Sequence, residues 1–238
     1  MPVSGKSTET LGLVVALPAE AHSMGVRGMR AGDCMRRQHG WVAVSGIGPR
    51  NATRAAESLL ARGVSRLANW GVAGALGADL APGDLLVPDR IRCAHDEPGF
   101  ATDADACERL IAVLSASLNV RRGVLWSSRQ PVSTRAEKRA LAECSGAAAV
   151  DMEAASVAAV AARANIPFVA VKAICDPLTR ELPARVVRAL DDADGGFSLR
   201  MVSAIAFGGP TAWRAAHALA QDFSRARHSL ATAATLAA

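Results

Sequence analysis

The sequence predicts an α/β domain built on a mixed or mostly parallel sheet, and three observations lead there. Short apolar runs alternate with helix-patterned segments along most of the chain. Two of those runs read as strands covered on both faces: Leu11 to Leu17, which is continuously apolar, and Pro167 to Ile174, which is apolar but for Lys172. Packing falls to small residues, chiefly Ala, Gly and Val, in a chain with no Tyr, which suits helices lying close on a sheet. A length of 238 residues matches one domain, with room for a terminal extension.

Leu11 to Leu17 reads as a buried strand, and Pro18 opens a helix, since proline suits the first helical position. Trp41 to Ser45 is a second strand. The turn Gly46-Ile47-Gly48-Pro49 leads into a helix over Arg50 to Arg62. Leu67 to Gly71 is a third strand, ending in a loop, Gly71-Val72-Ala73-Gly74, where backbone can approach a ligand closely. Gly83 to Cys93 alternates loosely after a Pro-Gly-Asp turn. Asp103 to Leu118 and Thr134 to Ala142 carry helical patterns around a strand at Gly123 to Ser127. Ala147 to Asp151 is a strand feeding an Ala-rich helix, Met152 to Asn165. Pro167 to Ile174 is the clearest buried strand. Beyond it, Pro177, Pro183 and Gly195-Gly196 interrupt the chain before helices at Phe197 to Phe207 and from Thr211 onward. The region after Ala173 is expected to be an appendage to the core.

Composition narrows the function classes. The net charge of +5 is spread out, with Arg36-Arg37 and Arg121-Arg122 as the adjacent arginine pairs, and aromatics do not interleave with the arginines. That argues against nucleic-acid binding. Five scattered cysteines with no C-x-x-C indicate a reducing, cytoplasmic setting rather than a disulfide framework or zinc site. The five histidines show no metal-ligand spacing, and there is no P-loop, GxGxxG or G-x-S-x-G elbow. Met1 to Thr10 lacks the apolar run of a signal peptide, and no window is long enough to span a membrane.

Ligands of α/β sheets sit at the C-terminal ends of strands. Four features converge there: Glu20 after the first strand, Gly71 to Gly74 after the third, Asp151 and Glu153 at a strand-helix junction, and Asp176 after the last. Each has an ordinary structural duty. Glu20 would favour a helix N-terminus. The glycines would make a tight turn. Asp151 would cap a helix with Glu153 as a first-turn carboxylate, and Asp-Pro at 176–177 would begin a turn. The four coincide at one sheet edge, which is the argument for a site.

Four segments, LGLVVALPAE, SGIGPRNA, NWGVAGALGADLAPGDLLVPD and AVDMEAASVAAVAARANIPFVAVKAICD, occur in that order between Leu11 and Asp176. With them the chain resembles the superfamily of purine nucleoside phosphorylases and methylthioadenosine/S-adenosylhomocysteine nucleosidases. The V-D-M-E segment at Val150 to Glu153, followed by the I-P-F strand and its terminal Asp176, is the specific part. Within the superfamily the chain is most similar to the hopanoid-associated phosphorylase branch, through DPLTRELP, the turn at Asp194 to Gly196 and the Arg/Ala-rich tail. The resemblance implies a single-domain, three-layer α/β/α fold with a central mixed sheet, nucleoside phosphorylase-like. It implies a core over 11–190 and a C-terminal helical segment over 191–238.

The resemblance also implies roles. Asp176 matches the acid that protonates the departing purine, Glu153 the carboxylate on the ribose hydroxyls, and Met152 the side chain on the sugar face. Glu20 matches the glutamate that orients attacking water in the nucleosidases, and Pro131 and Val132 fall where base-stacking residues lie. Gly74, Ala73, Val72, Cys175, Lys172 and Arg50 complete the expected substrate-binding set. The residue types suit the chemistry. Positive charge grows on the ribose in an oxocarbenium-like state, where a carboxylate stabilises it. Adenine leaves as an anion only poorly, so an acid must supply a proton, and a carboxyl group near ~4 holds one at neutral pH only if its surroundings raise it. Two positions depart from the common pattern. Val72 stands where Ser or Thr is frequent, and Lys172 where Arg is frequent, which keeps the charge but loses the planar fork. Glu20 and Val72 favour water over phosphate as acceptor, while Arg50 and Lys172 are the cations that could support phosphate as a co-substrate. Val72 also suits a greasy 5′ substituent.

The implied reaction is adenine release from a 5′-substituted adenosine, with adenosylhopane as the specific expectation, in hopanoid biosynthesis. The alternatives are a methylthioadenosine/S-adenosylhomocysteine nucleosidase and, in another class, a catalytically silent nucleoside-binding protein. No metal or organic cofactor is implied. Superfamily members are usually oligomeric, so a homodimer is expected. Phe197, Leu199, Met201, Val202, Ile205 and Phe207 precede a helix carrying Arg214, Arg225 and Arg227. Such a segment either covers the core or dimer contact, or lies peripherally on the inner membrane face near a membrane-resident substrate.

Overall fold

A computed structural model describes residues 10–38, 40–94, 99–181 and 209–237, and of 209–216 the backbone alone. Strand β1 (Leu11–Val15) runs into the short helix α1 (Pro18–Ser23), with Pro18 at the helix start. An antiparallel pair, β2 (Cys34–Arg37) and β3 (Gly40–Val44), precedes α2 (Pro49–Leu60). Next come β4 (Arg66–Ala75), β5 (Leu85–Arg92) and the two-residue β6 (Phe100–Ala101). Asp103 starts α3 (Ala104–Leu114) by accepting the Ala106 N–H. After β7 (Val120–Ser127), Thr134 and Glu137 form a reciprocal capping box on α4 (Arg135–Ser145). Gly146 ends that helix in the left-handed conformation, at φ 65°. The short β8 (Ala149–Asp151), α5 (Ala154–Arg163), β9 (Phe168–Asp176) and a long helix α6 (Gly209–Leu236) follow.

The strands form one mixed sheet. β1 lies between β3 and β4, parallel to both, and β4 and β9 are parallel over most of their length. β4 pairs with β8, β8 with β7, β7 with β5, β5 with β9 and β9 with β4, so five strands close into a ring. Helices α2 and α5 cover one face, where Ala52, Ala56 and Leu59 meet Val157, Ala158 and Ala161. On the other face α1, α3 and α6 bring Ala21, Cys107, Leu114, Ala226, Leu230 and Ala233 against Val15, Val171 and Ala173. This is the three-layer α/β/α arrangement with a mixed sheet that the sequence led us to expect. The alanines matter because each removes side-chain depth between helix and sheet, allowing the close approach that scarce aromatics suggest.

Several expectations change. Gly71 to Gly74 is not a loop: the four residues are the hydrogen-bonded end of β4. The helix expected from Met152 begins at Ala154, leaving Met152 and Glu153 in the bend before it. The segment after Ala173 is no appendage at its start, since β9 continues in the sheet to Asp176. β2 and β6 were not anticipated; β2 carries Arg36 and Arg37 on an exposed edge, with no apolar alternation to mark it. The expected helix over 197–207, the turn at 194–196 and the boundary between 190 and 191 lie outside the described residues. The Thr211 helix is observed as α6, and its Ala226, Leu230 and Ala233 are committed to the core.

Candidate active site

Glu20 sits in the first turn of α1 and is 2% exposed. Its carboxylate accepts the N–H groups of Ala16 at 2.8 Å and Leu17 at 2.9 Å on one oxygen, and that of Val72 at 2.9 Å on the other. It lies directly over Gly71: a Cβ there would come within 2.5 Å of Oε1. Burial pushes its protonation upward, against the opposing charge of Lys172 and the three backbone donors.

Lys172 of β9 stands opposite Gly71 in the sheet register, at the same level as Glu20. Its ammonium is buried and pairs with Asp151 Oδ2 at 2.7 Å. Burial alone would lower its affinity for a proton, but Asp151, Glu153 and Glu20 outweigh that and hold it above the usual lysine range. Asp151 Oδ2 also accepts the Ala154 N–H at 3.0 Å, so it performs the helix-starting duty expected of it as well.

Glu153 lies in the bend between β8 and α5, buried. Its Oε1 accepts the Gly48 N–H at 2.7 Å, which ties the Gly46-Ile47-Gly48-Pro49 turn to the V-D-M-E segment across 105 residues. Burial, then the charge of Asp151, pushes its protonation up to about 7, with Lys172 opposing. Met152 beside it is half-buried.

Asp176 ends β9. A bulge between Ala73 and Gly74 pairs Ala73 with Ile174 and Gly74 with Asp176, skipping Cys175. That extra residue re-aims the strand end, so the aspartate rather than the cysteine stands across from Gly74. The Cys175 thiol is driven far up by burial, then by Asp176. Asp176 is 6% exposed, and burial also raises its protonation against the pull of Lys138. Lys138 Nζ lies 2.7 Å from Asp176 Oδ2. Oδ1 is buried and has no hydrogen-bond partner among the described residues.

Of the remaining expected residues, Ala73 and Gly74 line the end of β4 beside Asp176. Val72 gives Glu20 its N–H while its side chain packs against the apolar cluster beneath the sheet. Pro131 and Val132 lie between β7 and α4, and Val132 packs near Leu76 and Val150. Arg50 is exposed in the first turn of α2. Residues outside the expected set also enter. Lys138 belongs to no motif, and a lone lysine in an Arg- and Glu-rich helix reads as a solvated charge. Yet it shares the 138, 141, 142, 145 stripe with Leu141 and Ala142, a helical spacing that marks the inward face. Asp222 of α6 is buried and pairs with Arg180 just after β9, a contact no local pattern announces.

Buried carboxylates and lysines gather at neighbouring strand ends of a mixed sheet closed into a ring, an arrangement in keeping with an α/β enzyme of the nucleoside phosphorylase type. The chain belongs to the phosphorylase superfamily, whose family model matches residues 28–204. The aminodeoxyfutalosine nucleosidase of Helicobacter pylori is 33% identical over 157 residues, covering 59% of this chain and 68% of the relative. The 5′-methylthioadenosine/S-adenosylhomocysteine nucleosidase of Oceanobacillus iheyensis is 30% identical over 154 residues, covering 57% and 67%. Among solved structures, the Helicobacter pylori 5′-methylthioadenosine/S-adenosylhomocysteine nucleosidase with butyl-thio-DADMe-Immucillin-A superposes with a TM-score of 0.71 at 19% identity, covering 96% of this chain and 97% of that one. The futalosine hydrolase of the same organism gives 0.69 at 20%, covering 95% of each. These two likenesses speak for the fold.

Proposed function

We propose that this chain hydrolyses the N-glycosidic bond of a 5′-substituted adenosine and releases adenine. The observation that carries the reading is Asp176. It is a buried carboxyl group whose protonation is favoured, with one oxygen anchored and the other free of protein partners among the described residues. A group so placed can hand a proton to a purine ring nitrogen as the bond to the sugar breaks. Glu153 would accept ribose hydroxyl hydrogens and face the growing positive charge, and Met152 would pack on the sugar. Glu20 would take the proton of the attacking water. The base would lie toward Pro131 and Val132, and toward Ala73, Gly74 and Cys175 at the strand ends.

Water rather than phosphate is favoured as acceptor. The amides of Ala16, Leu17 and Val72 form a nest suited to an anion, and the Glu20 carboxylate already occupies it. A phosphate dianion would meet that buried negative charge. The nearest buried cation, Lys172, is engaged by Asp151, and Arg50 is exposed.

Two kinds of 5′ substituent, a thioether and a triterpene, define the finer reading. Similarity to the Oceanobacillus relative supports methylthioadenosine and S-adenosylhomocysteine. Adenosylhopane is supported by the motif resemblance beyond Asp176 alone, since the Val72 side chain packs into the apolar cluster. The experiment is adenine release from adenosine, methylthioadenosine and an adenosyl lipid, with and without phosphate, by wild type and Asp176→Asn. We expect release independent of phosphate, and a loss of roughly 10²–10⁴-fold in the variant. Strict phosphate dependence would overturn the choice of acceptor, and undiminished release by Asp176→Asn the choice of acid. A homodimer and peripheral membrane contact belong to the same proposal, to be read by light scattering and by vesicle flotation of the full chain. No described helix is long and apolar enough to cross a membrane.

A further inference from the structure

We propose that Lys138 is a positioning residue that fixes which oxygen of Asp176 carries the transferable proton. The proposal rests on the reading of Asp176 as the acid. Lys138 projects from α4 and is fully buried, a rare position for lysine unless all its donors are used. Its ammonium reaches three acceptors: the carbonyl of Pro177 at 3.0 Å, the carbonyl of Arg180 at 3.1 Å and Asp176 Oδ2 at 2.7 Å. Three acceptors match the three N–H groups of an ammonium. The same group therefore fastens the chain after β9 and one oxygen of the acid.

The geometry has a consequence for the proton. Oδ2 faces an ammonium that can only donate, so a neutral Asp176 must hold its hydrogen on Oδ1, the buried oxygen without a described partner. The proton is thus held on the oxygen that no described group of the protein engages. In the step itself the Oδ1–H bond breaks and a bond from hydrogen to a purine ring nitrogen forms. The electron pair of the glycosidic bond moves into the purine, and water adds to the sugar carbon and gives its proton to Glu20. Asp176 is left as a carboxylate already paired with Lys138, which stabilises the product side of the transfer. The proton on Glu20 returns through solvent and restores Asp176. Among the described residues, the other groups facing Asp176 are Arg180, which pairs with Asp222 of α6, Asp222 itself and the neighbouring thiol of Cys175. Arg180 and Asp222 oppose one another, leaving Lys138 as the dominant opposing charge.

The test is the pH dependence of kcat/KM for adenine release from methylthioadenosine or adenosine, in wild type, Asp176→Asn, Lys138→Met, Lys138→Gln and Lys138→Arg. Asp176 is assigned to the ionisation that disappears from the residual activity of Asp176→Asn. In Lys138→Met and Lys138→Gln we expect that ionisation to move up by about 1–3 pH units, since an opposing charge has gone. We expect the rate to fall about 10- to 100-fold at the optimum, less than loss of the whole acid. Lys138→Arg should keep the ionisation near its wild-type position. Lys138→Gln retains a donor for the carbonyls and serves where Lys138→Met folds poorly. An unmoved ionisation in both neutral variants, whatever their rates, overturns the proposal and leaves Lys138 a structural strap. Wild-type activity and profile in Asp176→Asn overturns the acid reading itself, and appears in a different variant.

Discussion

Gly71→Ala is a change of one methyl group that the structure makes costly. The backbone there has an ordinary φ, so an alanine is not excluded by conformation. The obstacle is the Glu20 carboxylate, whose Oε1 would lie 2.5 Å from the new Cβ, with Cδ at 2.9 Å and Oε2 at 3.1 Å. Ordinary contact requires the carboxylate to retreat by roughly 1 Å. It cannot do so freely, because three amide bonds of 2.8–2.9 Å hold it. Losing one or two bonds to a charged group costs about 1.5–3 kcal/mol each. The smaller unfolded-state entropy of alanine returns about 0.4–1 kcal/mol. The balance is a destabilisation on the order of 1–5 kcal/mol, or roughly 2–20 °C in Tm for a chain of this size. Thermal unfolding followed by circular dichroism measures it, and an adenine-release assay on the folded fraction should show a large parallel loss. Gly74→Ala, three residues along the same strand, is the control. Its Cβ would meet Asp176 Oδ2 at 3.4 Å and Val150 Cγ1 at 3.5 Å, which is ordinary contact, so its Tm should change little. A Gly71→Ala protein as stable and active as wild type would refute the argument that Glu20 is held rigidly over β4.

Two further perturbations probe the charge cluster. Lys172→Met leaves Asp151 without its buried counter-charge, and about 3–5 kcal/mol of stability should go with it; adding Asp151→Asn should recover part of the loss, as read by urea unfolding. Glu153 is protonated more readily in the folded chain, at about 7, than at its ordinary value of 4.5. Its stabilising contribution is therefore complete below the unfolded value and is lost as pH rises through about 7. Tm measured from pH 5 to 8 should fall less steeply in Glu153→Gln than in wild type, and equal slopes would contradict that assignment.

Much of the fold was legible because the strands that matter are buried on both faces. Leu11 to Val15 and Phe168 to Ile174 need no partner in sequence to declare themselves, since apolar runs of that length, interrupted in the second by Lys172 alone, have few other uses. Helix starts were equally readable at Pro18 and at Thr134, where the structure shows a capping box with Glu137, because capping chemistry is local. Reading Gly71 to Gly74 as a loop failed for a non-local reason. Glycine lowers intrinsic strand preference, but at 71 it leaves room for a carboxylate arriving from α1, and at 74 the partner is Asp176.

By itself, the sequence determined the chemical types available to this protein. It supplied acids at Glu20, Glu153 and Asp176, a motif order shared with a superfamily, and an α/β alternation that brings strand ends to one edge. Tertiary structure alone decided how those groups are biased. Whether a carboxyl group holds its proton depends on burial and on the nearest opposite charge, and both are supplied by distant segments. Lys138 of α4 meets Asp176 of β9, Gly48 meets Glu153, and Val72 meets Glu20. The bulge that turns Asp176 rather than Cys175 toward Gly74 is likewise a property of two strands pairing, and neither strand encodes it alone.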